Sequence, residues 1–377
     1  MIKALRLTNY KAFGKFSLTD LSPFTLLGGA NDVGKTSLLS AIYIYTARLQ
    51  PAMQNLFFAR SERHADWAAT YFHGFKPSPE RPIEIAVTID QIECRLAIDY
   101  LDAIQPQDLF AAPDAQSEIL ELPNQQPNPF HIATQLGLPS DQQTVRALRM
   151  RWYEALDCKA DIYSILPPAT TNKPQSSQYV RFSLPGRLLN SAFILPFMRG
   201  NTPLLAHSIS KLMEAGSLNE FVGDVAKLFP HIKNLMPTTV TPGKVDVFAD
   251  VGFPQPVPIS ELGDGVKQSL NILLPIPQLT DGILLCDEIA VGIHSSKLSD
   301  FVRQLAWTAK KYNCQIIATT HSYELLAAAC EAFSGENLNP DDFAYIRMDR
   351  DSHGKIAATR FDHRSLGDAI AANWEVR

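Results

Sequence analysis

The sequence predicts an α/β protein built on a largely parallel sheet covered by helices. An apolar run, Phe24-Thr25-Leu26-Leu27, leads directly into a glycine loop and then into apolar residues at helical spacing. The last third alternates strand-like and helix-like segments, over residues 282–286, 295–312, 315–318, 322–332 and 343–348. Two of those strand segments end in polar clusters, at the strand ends where parallel sheets bind ligands.

Ile2, Leu5 and Leu7 open the chain with the alternation of a strand, which reaches a turn around residues 9–14. Residues 36–49 carry Leu38, Leu39, Ile42 and Tyr45 on one helical face. Residues 83–90 and 93–100 read as a strand pair. From residue 101 to 178 the chain turns proline- and glutamine-rich, with loops at 112–116, 123–129 and 166–177. Within that stretch residues 141–156 predict a helix, with Val145, Leu148, Trp152 and Leu156 on one face and Arg146, Arg149 and Arg151 around it. Such an arginine run is most simply a solvated helix face, with contact to nucleic acid or a partner as the alternative. The region is expected to be an insertion or lid.

Thr202-Pro203 predicts a helix start and Gly216 its end. Ser217 and Glu220 have the spacing of a capping box for a second helix, which runs to Phe229 before Pro230. Residues 240–251 read as a hairpin turning at Pro242-Gly243-Lys244. No internal repeat is found. The expected division is residues 1–100, an inserted 101–181, and 182–377.

With 377 residues, 46% apolar and 19% charged, the chain has the composition of a globular protein. The formal net charge of -5 does not indicate nucleic-acid binding, although a local patch remains compatible with it. The five cysteines show no CxxC spacing, so neither a disulfide framework nor a zinc site is expected and a reducing cytoplasm is the expected compartment. The first residues lack the apolar core of a signal peptide, and no window is apolar for long enough to span a bilayer.

Gly29-Ala30-Asn31-Asp32-Val33-Gly34-Lys35-Thr36 fits G-x4-G-K-T. Its glycines let successive N–H groups turn inward on phosphates, Lys35 adds a mobile charge and Thr36 offers a hydroxyl to Mg2+. Asn31, Asp32 and Ser37 lie in the same cradle. Ile283-Leu284-Leu285-Cys286-Asp287-Glu288 delivers two carboxylates from an apolar strand. Alone, such a run marks only a strand end. Beside a phosphate loop, Asp287 would serve Mg2+ through water and Glu288 would orient or deprotonate the attacking water. Cys286 is expected only to pack. Gln315-Ile316-Ile317-Ala318-Thr319-Thr320-His321-Ser322 is a further strand, with His321 placed to sense the γ-phosphate and Ser322 as a helix cap. Leu262-Gly263-Asp264-Gly265 opens another helix. It is equally a plain turn or an anion site that caps a nucleotide held by another copy. Asp349-Arg350-Asp351 could suggest a metal site, but Asp351-Ser352-His353-Gly354 reads better as a hairpin turn with solvated charges.

The order phosphate loop, long insertion, Leu262-Gly263-Asp264-Gly265, Asp287-Glu288 and Thr319-Thr320-His321-Ser322 resembles ABC-type ATPase heads of the RecF, OLD and SMC-like branch. It is similar above all to small prokaryotic AAA-family ATP-binding proteins of antiphage systems, PARIS-type ATPases among them. The resemblance extends to Leu7-Thr8-Asn9-Tyr10-Lys11-Ala12-Phe13, to Phe229-Pro230-His231-Ile232 and to Glu375-Val376-Arg377. It implies a P-loop NTPase head of mixed sheet with an antiparallel subdomain, ATP and Mg2+ as ligands, and Lys11 among the nucleotide-binding residues. It implies a head-to-head dimer or higher oligomer, in which Gly263, Asp264 and Gly265 serve the partner's nucleotide, and a separately encoded effector protein. No membrane partner is implied.

Two departures stand out. After Glu288 the group often has a further acidic residue and Asn, where this chain has Ala290 and Val291, and no glutamine matches the group's metal-contacting loop. Both imply slow turnover, with ATP acting as a clamp. OLD relatives carry a C-terminal nuclease domain for which this chain has no length, so intrinsic nuclease activity is not expected. Three roles stay open: the ATPase or sensor subunit of a defence system, a RecF-like DNA-clamping ATPase, and an ATP-binding scaffold.

Overall fold

The computed structural model describes residues 1–46, 78–104, 145–165, 179–181, 189–194, 202–241 and 244–376. The chain divides into two compact units, Ile2–Thr19 with Arg60–Leu188, and Asp20–Ala59 with Leu189–Arg377 and Met1.

The first unit is a seven-stranded antiparallel sheet, in the order β2 (Phe13–Leu18), β1 (Ile2–Tyr10), β4 (Ile83–Ile89), β5 (Ile92–Ile104), β6 (Val145–Glu154), β7 (Asp157–Ile165) and β8 (Tyr179–Arg181). Ile2, Leu5, Leu7 and Tyr10 are buried. A register shift between Ile2 and Ala4 accounts for the step from Ile2 to Leu5, and Asn9, with φ 57°, interrupts the alternation before Tyr10.

The helix predicted over 141–156 is a strand where it is described, and residues 141–144 lie outside the described residues. Strand β6 pairs with β5 on one side and β7 on the other. Met150 and Trp152 are buried, while Arg149 and Arg151 between them both bond Asp99 of β5. That is a period of two, and cross-strand pairing overrides the helical spacing of the apolar residues. Leu156 is 93% exposed, in the turn beyond the strand. Arg149 and Arg151 are not a solvated face, and the Arg146 side chain lies outside the described residues. Arg149 grips Asp99 through two bonds of 3.0 and 3.1 Å, Arg151 adds one of 2.8 Å, and the Asp99 side chain is fully buried. The described residues of the expected insertion thus continue a sheet that begins at the N-terminus.

The second unit holds a mixed six-stranded sheet in the order β16 (Ile356–Asp362), β15 (Phe343–Arg350), β3 (Phe24–Gly29), β14 (Gln315–Thr319), β13 (Ile283–Cys286) and β9 (Ser191–Ile194). All neighbours are parallel except the β15–β16 hairpin. Every residue of β3, β13 and β14 is buried, as expected of strands covered on both faces. Helices α1 (Lys35–Thr46), α2 (Thr202–Glu214), α3 (Leu218–Leu228), α4 (Asp264–Leu273), α5 (Leu298–Lys311), α6 (Tyr323–Phe333) and α7 (His363–Ala371) belong to this unit. Leu26, Ile209, Val225, Leu270, Leu284, Leu305 and Leu325 share one core. A small antiparallel sheet, β10 (Asn234–Thr241), β11 (Lys244–Asp250) and β12 (Val257–Pro258), contains the predicted hairpin, whose residues 242–243 lie outside the description.

The helix expected over 36–49 is α1, with 47–49 outside the description. Gly216 closes α2 with φ 67°, as predicted. The capping box at Ser217 does not form. The Ser217 amide returns to the Leu212 carbonyl at 2.9 Å and its hydroxyl points the same way at 3.4 Å, while Glu220 pairs with Lys311 at 2.6 Å. The closing turn of α2 takes the group that a cap of α3 would need. Among the described residues, no helix is long and apolar enough to cross a membrane.

Candidate functional site

Strand β3 ends at Gly29, and the chain curls through a loop before α1 begins at Lys35. The curl needs left-handed backbone at Gly29 (φ 117°), Asp32 (φ 63°) and Gly34 (φ 91°). Gly29 has a second reason to lack a side chain. It lies opposite Met348 of β15, and a Cβ there would sit 2.0 Å from the Met348 carbonyl oxygen. Asn31 and Asp32 are exposed on the crest, and Ser37 is half-buried in the first turn of α1. The Asp32 carbonyl accepts a 2.8 Å bond from the Arg350 guanidinium at the end of β15.

Lys35 is buried and folds back on the loop, its ammonium donating to the carbonyls of Gly29 and Ala30 at 2.8 Å each. Burial pulls its pKa below the ordinary lysine value, opposed by the carboxylates of Glu288, Asp287 and Asp32.

Strand β14 separates β3 from β13, so residues remote in sequence meet at three adjacent strand ends. The Thr36 hydroxyl lies 3.0 and 3.2 Å from the two Asp287 carboxylate oxygens. Thr319, at the end of β14, donates its hydroxyl to Asp287 Oδ1 at 2.6 Å and accepts the Glu288 amide at 2.8 Å. Glu288 itself has φ 56°, and its carboxylate Oε1 lies 3.2 Å from His321 Nε2. The site thus has a dry end at Asp287 and Thr319, both buried, and an open rim where the Glu288 and His321 side chains are 32% and 38% exposed. Ser322 caps α6 through its hydroxyl, which accepts the Leu325 amide at 3.0 Å. Cys286 packs fully buried, and burial pushes its thiol far above the ordinary range.

Of the residues expected from sequence, the structure brings together Gly29, Gly34, Lys35, Thr36, Asp287, Glu288 and His321. The Gly263-Asp264-Gly265 turn at the start of α4 has the segment after Glu288 as its neighbour, with 3.2 Å between the Gly292 carbonyl and a Cβ placed on Gly265. Asp264 pairs with Lys267 at 2.9 Å. Lys11 belongs to the other unit, where its ammonium stands 5.5 Å from the Tyr10 ring. Asp349 and Arg350 end strand β15, and the turn begins at Asp351, which accepts the amides of His353 and Lys355 at 2.9 and 2.8 Å. No metal-ligating cluster of His, Cys, Asp and Glu occurs among the described residues. Sequence reasoning missed Thr319 and Arg350. The first was hidden inside a motif read for its histidine, the second inside a run of charges.

A family model described as "AAA domain, putative AbiEii toxin, Type IV TA system" matches residues 160–327, a span that holds Asp287, Glu288 and His321 but not the phosphate loop. An "ATP/GTP phosphatase" of Helicobacter pylori is 23% identical over 349 residues, 86% of each chain. The uncharacterised protein MJECL11 of Methanocaldococcus jannaschii is 33% identical over 97 residues, 26% of this chain and 82% of that one. Among solved structures, the Smc head bound to the C-winged helix domain of ScpA covers 96% of this chain and 98% of its own, at 16% identity and a TM-score of 0.48.

Proposed function

We propose that this chain, an ATPase with an AAA-type domain that belongs to one family with the archaeal protein MJECL11, is a Mg2+-dependent ATP hydrolase that closes on a second copy of itself around ATP. The observation that carries the reading is Asp287. It is a buried carboxylate bonded at once to the phosphate-loop hydroxyl of Thr36 and to Thr319, with Glu288 beside it.

Thr36 and Asp287 present only hydroxyl and carboxylate oxygens, the donor set a hard divalent cation takes. The residues therefore fit Mg2+, which when bound would neutralise phosphate charge. Lys35 would leave the Gly29 and Ala30 carbonyls for the phosphates, exchanging two neutral acceptors for charged ones. Glu288 Oε1 would take the proton of the attacking water, and His321 Nε2, 3.2 Å away, would hold that carboxylate in place. The likeness to the H. pylori ATP/GTP phosphatase supports nucleoside triphosphate hydrolysis and leaves the choice between ATP and GTP open.

The Gly263–Gly265 turn, exposed at Gly263 and Asp264 and with its helix behind it, would complete the nucleotide site of the other copy. Its role would be that of a sensor or scaffold ATPase of an antiphage system, working with a separate effector; the match to an AAA domain of a toxin–antitoxin family is compatible with that setting. Ala290 and Val291, where an acidic residue and Asn are usual, favour slow turnover and a clamp-like use of ATP.

The test is phosphate release and sedimentation of the full chain with Mg2+ and ATP. We expect ATP-dependent association, no hydrolysis in Lys35→Ala, and an associated but inactive Glu288→Gln. Undiminished hydrolysis in Glu288→Gln would remove Glu288 from the mechanism. An oligomeric state indifferent to ATP would refute the clamp, and hydrolysis that rises only with DNA would favour a DNA-clamping role.

A further inference from the structure

The geometry points to Thr319 as a positioning residue that sets the two acidic side chains of the site through a single hydroxyl. The inference rests on the ATP-hydrolysis reading and assigns a role within it.

A threonine hydroxyl has one proton to give and lone pairs to receive. At Thr319 both are used on consecutive residues. The proton goes to Asp287 Oδ1 at 2.6 Å, and a lone pair receives the Glu288 amide at 2.8 Å. Thr319 is completely buried and Asp287 is buried beside it, so water does not substitute for either bond. The second bond bears on Glu288, whose φ of 56° is unfavourable for a residue with a side chain. The amide held by Thr319 fixes that conformation, and with it the direction in which the Glu288 carboxylate reaches His321. The first bond leaves Asp287 Oδ2 as the carboxylate oxygen that Thr319 does not use, 3.0 Å from the Thr36 hydroxyl. One side chain therefore orients the cation-facing carboxylate and the proton-accepting one together. It does so from β14, the strand that also carries His321 just beyond its end.

Valine in place of Thr319 keeps the shape and removes the hydroxyl, whereas serine keeps the hydroxyl. For Thr319→Val we expect a loss of about 10- to 100-fold in kcat and in the affinity for Mg2+, the scale seen when a partner of a metal-facing group is removed. Binding of a fluorescent ATP analogue in EDTA should stay at the wild-type value, because the phosphate loop is untouched. Thr319→Ser should restore both the Mg2+ dependence and kcat to within about threefold of wild type. If Thr319→Val does not fold, Thr319→Ala compared with Thr319→Ser carries the same contrast, with thermal unfolding confirming the fold. A wild-type Mg2+ requirement and kcat in the folded hydroxyl-less variant would overturn the inference. So would equal losses of binding with and without Mg2+. A wild-type chain that hydrolyses nothing would instead sink the ATPase reading, so the two failures are told apart.

Discussion

The Arg350 guanidinium donates to the Asp32 carbonyl at 2.8 Å, tying the end of β15 to the crest of the phosphate loop. Asp32 is in the left-handed region, so the bond supports a turn that its own backbone disfavours. Arg350 also donates to Gly354 at 3.2 Å, which anchors it within its own hairpin. We expect Arg350→Ala to weaken ATP binding by about three- to tenfold, the worth of one modest hydrogen bond, with kcat largely spared. Titration with a fluorescent analogue and hydrogen exchange at the loop amides would check this. A kcat loss with unchanged affinity would contradict it.

Gly29 tolerates no side chain. Gly29→Ala combines φ 117° with a Cβ at 2.0 Å from a backbone oxygen, which must displace β15 or the loop. The expected cost is about 2 kcal/mol or more, together with loss of nucleotide binding. Gly354→Ala is the control. Its φ is 78°, but nothing lies within 4 Å of the added carbon, so binding should survive at a cost of about 1 kcal/mol.

Asp99 should matter for stability alone. Removing it takes two bonds from Arg149 and one from Arg151, whose side chains are only 20% and 25% exposed. Asp99→Ala is expected to destabilise the antiparallel unit by about 3 kcal/mol, read as faster hydrogen exchange in β5 and β6. Arg6→Ala, which loses an exposed pair with Glu93, should have far less effect.

The buried Lys35 makes opposite predictions for stability and for binding. Its folded pKa lies below the unfolded value, so the unfolded chain holds more protons in the window between them. The folding penalty is full below the lowered pKa and fades as pH rises to the unfolded value near 10.5. ATP binding needs the charge, so affinity should fall as pH climbs through the lowered pKa. Lys35→Met should flatten that dependence. An unchanged slope in the variant would assign the effect to another group.

The parallel sheet was legible in the sequence because its strands are covered on both faces and read as unbroken apolar runs, as at Ile283-Leu284-Leu285-Cys286. The motif residues at the ends of β3, β13 and β14 were legible for the same reason, since each run points to its terminus. Strand β6 was not. Its apolar residues fit helical spacing, and only Asp99, distant in sequence, reveals that Arg149 and Arg151 share a face. Ser217 shows the same limit at short range, because a cap was assigned to one helix while its neighbour's closing turn held the group. Thr319 and Arg350 act through bonds to the backbone and side chains of other segments, and no local pattern marks such partners.

Strand β3 lies between β14 and β15, both made some 290 or more residues later along the chain. During synthesis, at about 5–20 residues per second, this apolar strand waits on the order of 15–60 s for either edge to be covered. The phosphate loop therefore leaves the ribosome long before the neighbours that close over its strand. Over that interval a nascent chain carries a mostly apolar strand with both edges unpaired, the kind of edge that invites mispairing until its neighbours arrive.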